Sequence, residues 1–323
     1  MQNAQTVIVA DIGASNARFG LVDDIHAPDF LIHHIQKYRR TDYDSFADVL
    51  AQYYTDLPVK LRKQRYPLSI AVAGARINSQ YWQFASEQWA FTADEQIIST
   101  ISDLEGFALG AVSDKTHITL REDTAAADES FKSTIIAVGT GLGLSYYKDG
   151  QTFRTHGGHM HGTGITDEQN MIIRLIYRLS SKKRMVIFED LASGTGLMRL
   201  YQAVCIYNGL PVLCTTPEEV IELAAPHVLE QTLRLFHEFL GLFAHMALVF
   251  GHGYKALYLG GGVIDVLNER GLFDQECFFK HLNQNAQRVV AQNIENCPVY
   301  LLSDSNIALY GAAKAAQRLT ERG

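Results

Sequence analysis

The sequence predicts a two-lobed α/β protein, and three observations carry that reading. Strand-like and helix-like stretches alternate from one end of the chain to the other. Two strand–turn–strand units, each built on a glycine-bearing turn, recur roughly 125 residues apart. The chain's 323 residues are also more than one small core accommodates.

The elements follow in order. Val7 to Ala10 is a short buried strand, and Ala17 to Val22 a second one after a tight turn. Phe46, Val49, Leu50 and Tyr53 recur at i, i+3, i+4 and i+7, the spacing of an amphipathic helix. Leu68 to Ala73 is another buried strand. The opening theme then repeats: strand Thr134 to Val138, turn Gly139 to Gly143, and strand Leu144 to Tyr147, ending at the Asp149-Gly150 turn signal. Thr166-Asp167-Glu168-Gln169 is a capping box, opening a helix that carries Met171, Ile172, Leu175, Ile176 and Leu179. Thr216-Pro217-Glu218-Glu219 adds proline at the first helical position. Lys255 to Leu259 is a late strand running into Gly260-Gly261-Gly262.

Composition narrows the function classes. Hydrophobic content of 47% and charged content of 20% are those of a folded globular chain. A net charge of −7 gives no reason to expect nucleic acid or an anionic membrane as partner. The first residues lack a basic leader region, and the apolar run Val7 to Ala10 is too short for a signal peptide. The most apolar stretch, Leu229 to Phe250, is interrupted by Glu230, Arg234, His237, Glu238 and His245. It reads as a buried helix rather than a membrane span. Cys205, Cys214, Cys277 and Cys297 are scattered, with no C-x-x-C pair, so a reduced, cytoplasmic protein is expected.

Two turns carry the chemistry. In Asp11-Ile12-Gly13-Ala14-Ser15-Asn16-Ala17-Arg18, small residues allow a ligand to approach the backbone, whose successive N–H groups form a nest for phosphate oxygens. Ser15 and Asn16 add hydrogen bonds, Arg18 a positive charge, and Asp11 a carboxylate able to hold Mg²⁺ through water. An ordinary hairpin turn would use the same residue types. Gly139-Thr140-Gly141-Leu142-Gly143 is richer in glycine than a hairpin needs. It is neither a P-loop nor a dinucleotide fingerprint, since no G-K-[ST] follows and no helix opens after it. The nucleotide reading left is a hairpin presenting amides to phosphate. Gly260 and Gly261 would let adenine or ribose lie against backbone.

In order and spacing, these motifs resemble those of the bacterial glucokinases, in the hexokinase/actin-like ATPase superfamily. Asp11 to Arg18 is similar to that family's D-[VI]-G-G-T-N-[AT]-R, Gly139 to Gly143 to its G-T-G-L-G, and Leu259 to Val263 to its A-G-G-I segment. Glu189-Asp190-Leu191-Ala192-Ser193-Gly194-Thr195-Gly196-Leu197 is similar to its E-x-x-x-S-G-x-G-[LI]. The resemblance implies an actin-like (ribonuclease H-like) hexokinase fold with a cleft between two lobes. It also implies glucose and MgATP as ligands, phosphate transfer to the sugar 6-hydroxyl, and a homodimer. The lobes are expected at residues 1–110 with 304–323, and at 111–303. A zinc motif and a helix-turn-helix are lacking, which argues against a transcription regulator of the same superfamily.

The catalytic aspartate of the resembled family corresponds to Asp103, in Ser102-Asp103-Leu104. Phosphoryl transfer needs such a carboxylate to orient the attacking hydroxyl and take its proton. The plainer account, a capping box Ser102-Asp103-Leu104-Glu105, is compatible with it. Thr155-His156-Gly157-Gly158-His159 corresponds to the family's G-E-G-G-H sugar loop, so His156, His159 and Glu189 carry over as sugar ligands. Glu189 also fits as a first-turn helix carboxylate. Three histidines, His156, His159 and His161, follow no recognised zinc spacing. Three positions depart from the pattern on the sugar side: Ser86 and Ser102 replace asparagines, and His156 replaces a glutamate. On the phosphate side the departures are small, with Ala14 for glycine and Ser15 for threonine. The expectation is therefore a glucokinase, with a kinase of another hexose or amino sugar, or a non-catalytic sugar or nucleotide sensor, as alternatives.

Overall fold

The computed structural model describes residues 5–13, 15–76, 81–84, 87–90, 97–113, 117–122, 130–181, 184–285 and 287–322. Of the sequence-predicted site positions, Ala14 and Ser86 lie outside the described residues. The chain divides into two compact units, 1–115 with 306–323 and 116–305.

Unit 1 is built on strands β1 (Val7–Ile12), β2 (Asn16–Val22), β3 (Ile32–Arg39) and β4 (Leu68–Val72), with helix α1 (Phe46–Asp56) inserted before β4. A small sheet of β5 (Ala75–Arg76), β6 (Tyr81–Phe84) and β7 (Glu87–Ala90) precedes β8 (Ile97–Ser102) and helix α2 (Asp103–Ala111). The main sheet has the order β3-β2-β1-β4-β8, with β1–β2 and β2–β3 antiparallel and β1–β4 and β4–β8 parallel.

Successive side chains of a strand point to opposite faces, and here that period of two sorts the core. Ile8, Ala10 and Ile12 pack with Phe46, Val49 and Tyr53 of α1, whereas Val7 and Val9 pack with Leu309, Ala312 and Ala313. The latter belong to the C-terminal helix (Ile307–Arg322). By the same alternation Asp11 falls on the second face, the one this helix covers. α2 meets the C-terminal helix without room for a methyl group: a Cβ on Gly110 would overlap the carbonyl of Ile307, and one on Gly311 the carbonyl of Gly106. These close approaches pack the middle and end of α2 tightly on the C-terminal helix.

Unit 2 repeats the plan. Its strands are β9 (Ile118–Arg121), β10 (Ser133–Val138), β11 (Leu142–Lys148), β12 (Gln151–Arg154), β13 (Ala256–Gly260) and β14 (Val299–Leu301), in the order β12-β11-β10-β13-β14-β9. β10–β11 and β11–β12 are antiparallel, and β10–β13 and β13–β14 parallel. Five of these strands therefore match the five of unit 1 in order and direction. β9 is an extra antiparallel edge. Asp149 and Gly150 both take positive φ, 50° and 78°, in the β11–β12 turn that their sequence signals.

The helices of unit 2 are α3 (Asp167–Leu179), α4 (Gly194–Tyr207), α5 (Pro217–Leu223), α6 (Pro226–Gly251), α7 (Gly262–Glu269), α8 (Gln275–Leu282) and α9 (Arg288–Asn296), and the C-terminal helix of unit 1 is α10. Thr166 and Gln169 form the complete capping box, and Thr216 caps α5 ahead of Pro217. The apolar stretch is the buried helix that the sequence suggests. α6 runs unbroken for 26 residues and by length and composition could cross a membrane, yet 72% of its apolar window is buried against the protein. Its charges do not interrupt it because they have partners. Arg234 bonds Glu238 at 2.6 Å and Glu168 at 2.7 Å, and Gln169 donates to Glu238 at 2.7 Å. Phe236, Phe239 and Phe243, all fully buried, anchor it in the core.

Candidate active site

In unit 1 the chemistry gathers at the end of the sheet where the parallel strands terminate. The β1–β2 hairpin closes through Gly13 N–H donating to the Asn16 carbonyl at 2.8 Å. The Arg40 N–H binds the carbonyl of the exposed Ser15 at 3.0 Å, which ties the turn to the end of β3. Asp11 and Arg18 face each other across the hairpin, and their register yields an ion pair at 3.1 Å.

Two strands away, β8 ends at Ser102. Its buried hydroxyl accepts the Glu105 N–H at 3.1 Å and caps α2, while Asp103 Oδ1 accepts the Leu104 N–H at 2.8 Å. Asp103 is thus both a first-turn carboxylate, favoured by the helix dipole, and a group held by its own backbone. The two carboxylates sense each other. The Asp11 carboxyl is pushed up to about 6: burial is the main cause, the charge and hydrogen bond of Arg18 oppose it, and the negative charge of Asp103 adds to it.

Unit 2 builds a different kind of turn. Gly139 N–H donates to the Gly141 carbonyl at 3.0 Å, and the Gly139 carbonyl in turn accepts the Gly194 N–H at 2.8 Å. Thr195 Oγ1 reaches the Thr140 carbonyl at 3.3 Å. The N-terminus of α4, capped by Ser193, therefore abuts this turn. α7 starts beside it as well: a Cβ on Gly194 would lie 3.4 Å from Val263 Cγ2 and 3.7 Å from Thr140 Cα. Gly261 precedes α7 with φ 106°, and a Cβ there would meet Val138 O at 2.7 Å. Two helix N-termini thus flank one glycine turn, an arrangement that favours an anion.

Glu189 is a first-turn carboxylate of a short helix. It lies in a short 3₁₀ turn, Phe188–Asp190, and not in the first turn of α4, which begins five residues later at Gly194. Its Oε2 accepts the Leu142 N–H at 3.0 Å and sits 2.7 Å from where a Gly141 Cβ would be, so the carboxylate grips the glycine turn. The neighbouring Asp190 fixes this segment. Both nitrogens of Arg184 (2.6 and 2.8 Å), Arg199 Nη1 (2.5 Å) and the Ile187 N–H (3.0 Å) all donate to it. Burial alone would raise the Asp190 carboxyl; these bonds and charges hold it below its ordinary range.

The His156–His159 loop is locked to the same framework. Thr155 Oγ1 donates to the Leu144 carbonyl at 2.7 Å, and a Cβ on Gly158 would overlap the Leu142 carbonyl. Met160, next to His159, accepts the N–H of Phe188, next to Glu189, at 3.0 Å. His156 and His159 are exposed, with rings stacked 5.9 Å apart. Among the described residues no group of three His, Cys, Asp or Glu side chains is placed to hold a metal.

The structure therefore gathers Asp11, Gly13, Asn16, Arg18, Ser102 and Asp103 in unit 1. In unit 2 it gathers Gly139, Thr140, Gly141, Glu189, Gly260 and Gly261, with His156 and His159 on the adjoining loop. It adds Ser193, Gly194 and Thr195, which the motif Glu189 to Leu197 contains but whose contact with the turn only the fold reveals.

The family model for glucokinase matches residues 8–319. The chain belongs to the glucokinase family. Membership makes it a sugar kinase, a phosphotransferase. A glucokinase of Saccharophagus degradans is 28% identical over 95% of this chain and 96% of its own length. The solved glucokinase of an Antarctic psychrotroph superposes with a TM-score of 0.78 at 24% identity, over 98% of this chain and 99% of that one. A ROK-family glucokinase from Streptomyces griseus, solved with glucose and AMPPNP, shares the fold at a TM-score of 0.59 and 16% identity, over 97% of this chain and 99% of that one.

Proposed function

We propose that the protein transfers the γ-phosphoryl group of ATP to the 6-hydroxyl of glucose. The observation that carries this is the division of labour between the two hairpins. One presents a buried, ion-paired carboxylate beside a second carboxylate, and the other an uncharged glycine turn flanked by two helix N-termini. The second arrangement suits the oxygens of a nucleotide's phosphates, through the amides of Thr140 and Gly141, with the Gly139 N–H closing the turn. Gly260 and Gly261 offer a side-chain-free surface to the adenosine. In unit 1, Gly13, Ser15, Asn16 and Arg18 form a turn that also suits phosphate oxygens.

Asp103 is the general base. It orients the sugar hydroxyl and accepts its proton as the oxygen attacks the γ-phosphorus and ADP leaves. His156, His159 and Glu189 bind sugar hydroxyls. Mg²⁺ fits the donor set, because burial keeps the Asp11 carboxylate costly even beside Arg18 and a hard cation offsets that cost. When bound, it would neutralise phosphate charge, with Asp11 as its protein partner through water.

A second reading keeps the reaction and changes the sugar. Ser102 commits its hydroxyl oxygen to the α2 cap, and His156 is no anionic acceptor, so a hexose with a different hydroxyl or amino pattern suits these positions. ADP formation with MgATP and a panel of hexoses and amino sugars tests both. Turnover on glucose above the others supports the main reading, and turnover confined to another sugar supports the second. Nucleotide binding with no sugar-dependent turnover would overturn the kinase assignment.

A further inference from the structure

Outside the machinery described above, a cavity of ≈ 300 Å³ opens in unit 2 between the end of α3 and the middle of α4. Its apolar wall is Ile176 and Leu179. Ser180, Ser181 and Gln202 supply hydrogen-bonding groups, and the guanidiniums of Arg184 and Arg199 complete the lining. The volume is at the lower end for ligand pockets, about right for a metabolite of a few carbons.

Charge decides what it would hold. The two guanidiniums share one hydrogen-bonded partner, the buried Asp190, and Glu189 acts on Arg184 only through its charge, so donor capacity is left over. Among the described residues, Arg199 bonds Asp190 through Nη1, and its Nε and Nη2 have no protein acceptor. Both arginine side chains keep about two fifths of their surface exposed, 42% and 39%. Planar guanidinium forks with hydroxyl and amide donors beside them match the oxygens of a phosphate group.

The place of Asp190 gives the cavity a consequence. Its neighbour Glu189 grips the glycine turn through Leu142 N–H, so an anion drawing on Arg199 and Arg184 loosens the anchor of that grip. We infer that this cavity is a second anion site, binding inorganic phosphate or a small phosphate monoester, and that filling it weakens the hold of the glycine turn on ATP. The kinetic half of this inference rests on the turn being the ATP phosphate site; the binding half does not.

The test uses the full chain with saturating MgADP, which occupies any nucleotide site, and titrates inorganic phosphate and glycerol 3-phosphate by calorimetry, with acetate as control. One equivalent of phosphate or of the monoester is expected to bind. The variant Ser181→Glu with Gln202→Glu, exposed and half-buried positions that leave the arginines and Asp190 intact, should weaken that binding about tenfold or more. The tighter of the two probes identifies the source of the phosphate. In steady-state assays the same probe should raise KM for ATP about fivefold in the wild type and leave the double variant unmoved. No binding beyond the nucleotide site, equal binding by the variant, or acetate binding as tightly would overturn the site. Binding that leaves KM for ATP unchanged would overturn its link to the turn. A protein without kinase activity would still report on the site through calorimetry.

Discussion

The two hairpins share a topology and differ in chemistry. Around the β1–β2 turn the decisive groups are charged: Asp11, Arg18 and, two strands away, Asp103. Around the β10–β11 turn they are backbone amides and helix ends, with one carboxylate, Glu189, holding the turn through one of its oxygens. The difference teaches that a duplicated sheet supplies two equivalent positions and that side chains then specialise them. In the proposed reaction the first supplies the groups for proton and cation and the second mainly amides for phosphate. Substitutions can test each half.

The largest expected effect is at the charged turn. Asp103→Asn should lower kcat about 10²- to 10⁴-fold with the thermal melt retained, since a general base contributes about that much. At the glycine turn the expected damage is to the fold. Gly261→Val forces a side chain into a φ of 106° and against the Val138 carbonyl, and should cost about 3 kcal/mol, read by thermal or denaturant unfolding.

Arg18→Ala comes next and separates the two turns by pH. The Asp11 carboxyl, already at about 6, rises further without its cation, so the acid limb of the kcat/KM profile should move to higher pH. The stability effect has the opposite sense to that of an ordinary salt-bridged aspartate. The folded state takes up the Asp11 proton at about 6 and the unfolded chain only near 3.8, so stability falls as pH rises through this window. Asp11→Asn should remove that slope in a pH series of melts while lowering activity. The smallest effect is Ser102→Ala, which deletes the α2 cap and should cost about 1 kcal/mol. Ser102→Asn keeps a capping residue and should change the ranking of sugars more than the melt.

Much of this was legible along the chain because it is local. The caps at Thr166 and Thr216, the Asp149-Gly150 turn and the α1 periodicity depend on residues within a few positions of one another. The Asp11–Arg18 pair follows from hairpin register once the turn is recognised. What stayed hidden needs distant partners. Glu189 reads from its motif as a helix-start carboxylate, yet its hydrogen bond goes to Leu142, 47 residues earlier. The close approach of Gly106 and Gly110 to α10 joins residues some two hundred positions apart, and no local pattern marks it. Arg184 and Arg199 look like ordinary surface charges until Asp190 is seen buried between them. α6 is legible as a buried helix, but the partners of its charges, Glu168 and Gln169, lie on another helix and are not.

The most direct measurement follows the phosphoryl group itself. ATP labelled at the γ-phosphorus is incubated with glucose and Mg²⁺, for the wild type and for Asp103→Asn. Label is expected in glucose 6-phosphate in step with ADP for the wild type, and at least about a hundredfold less for the variant. Label released as free phosphate, or labelled sugar formed by Asp103→Asn at the wild-type rate, would contradict the proposed reaction.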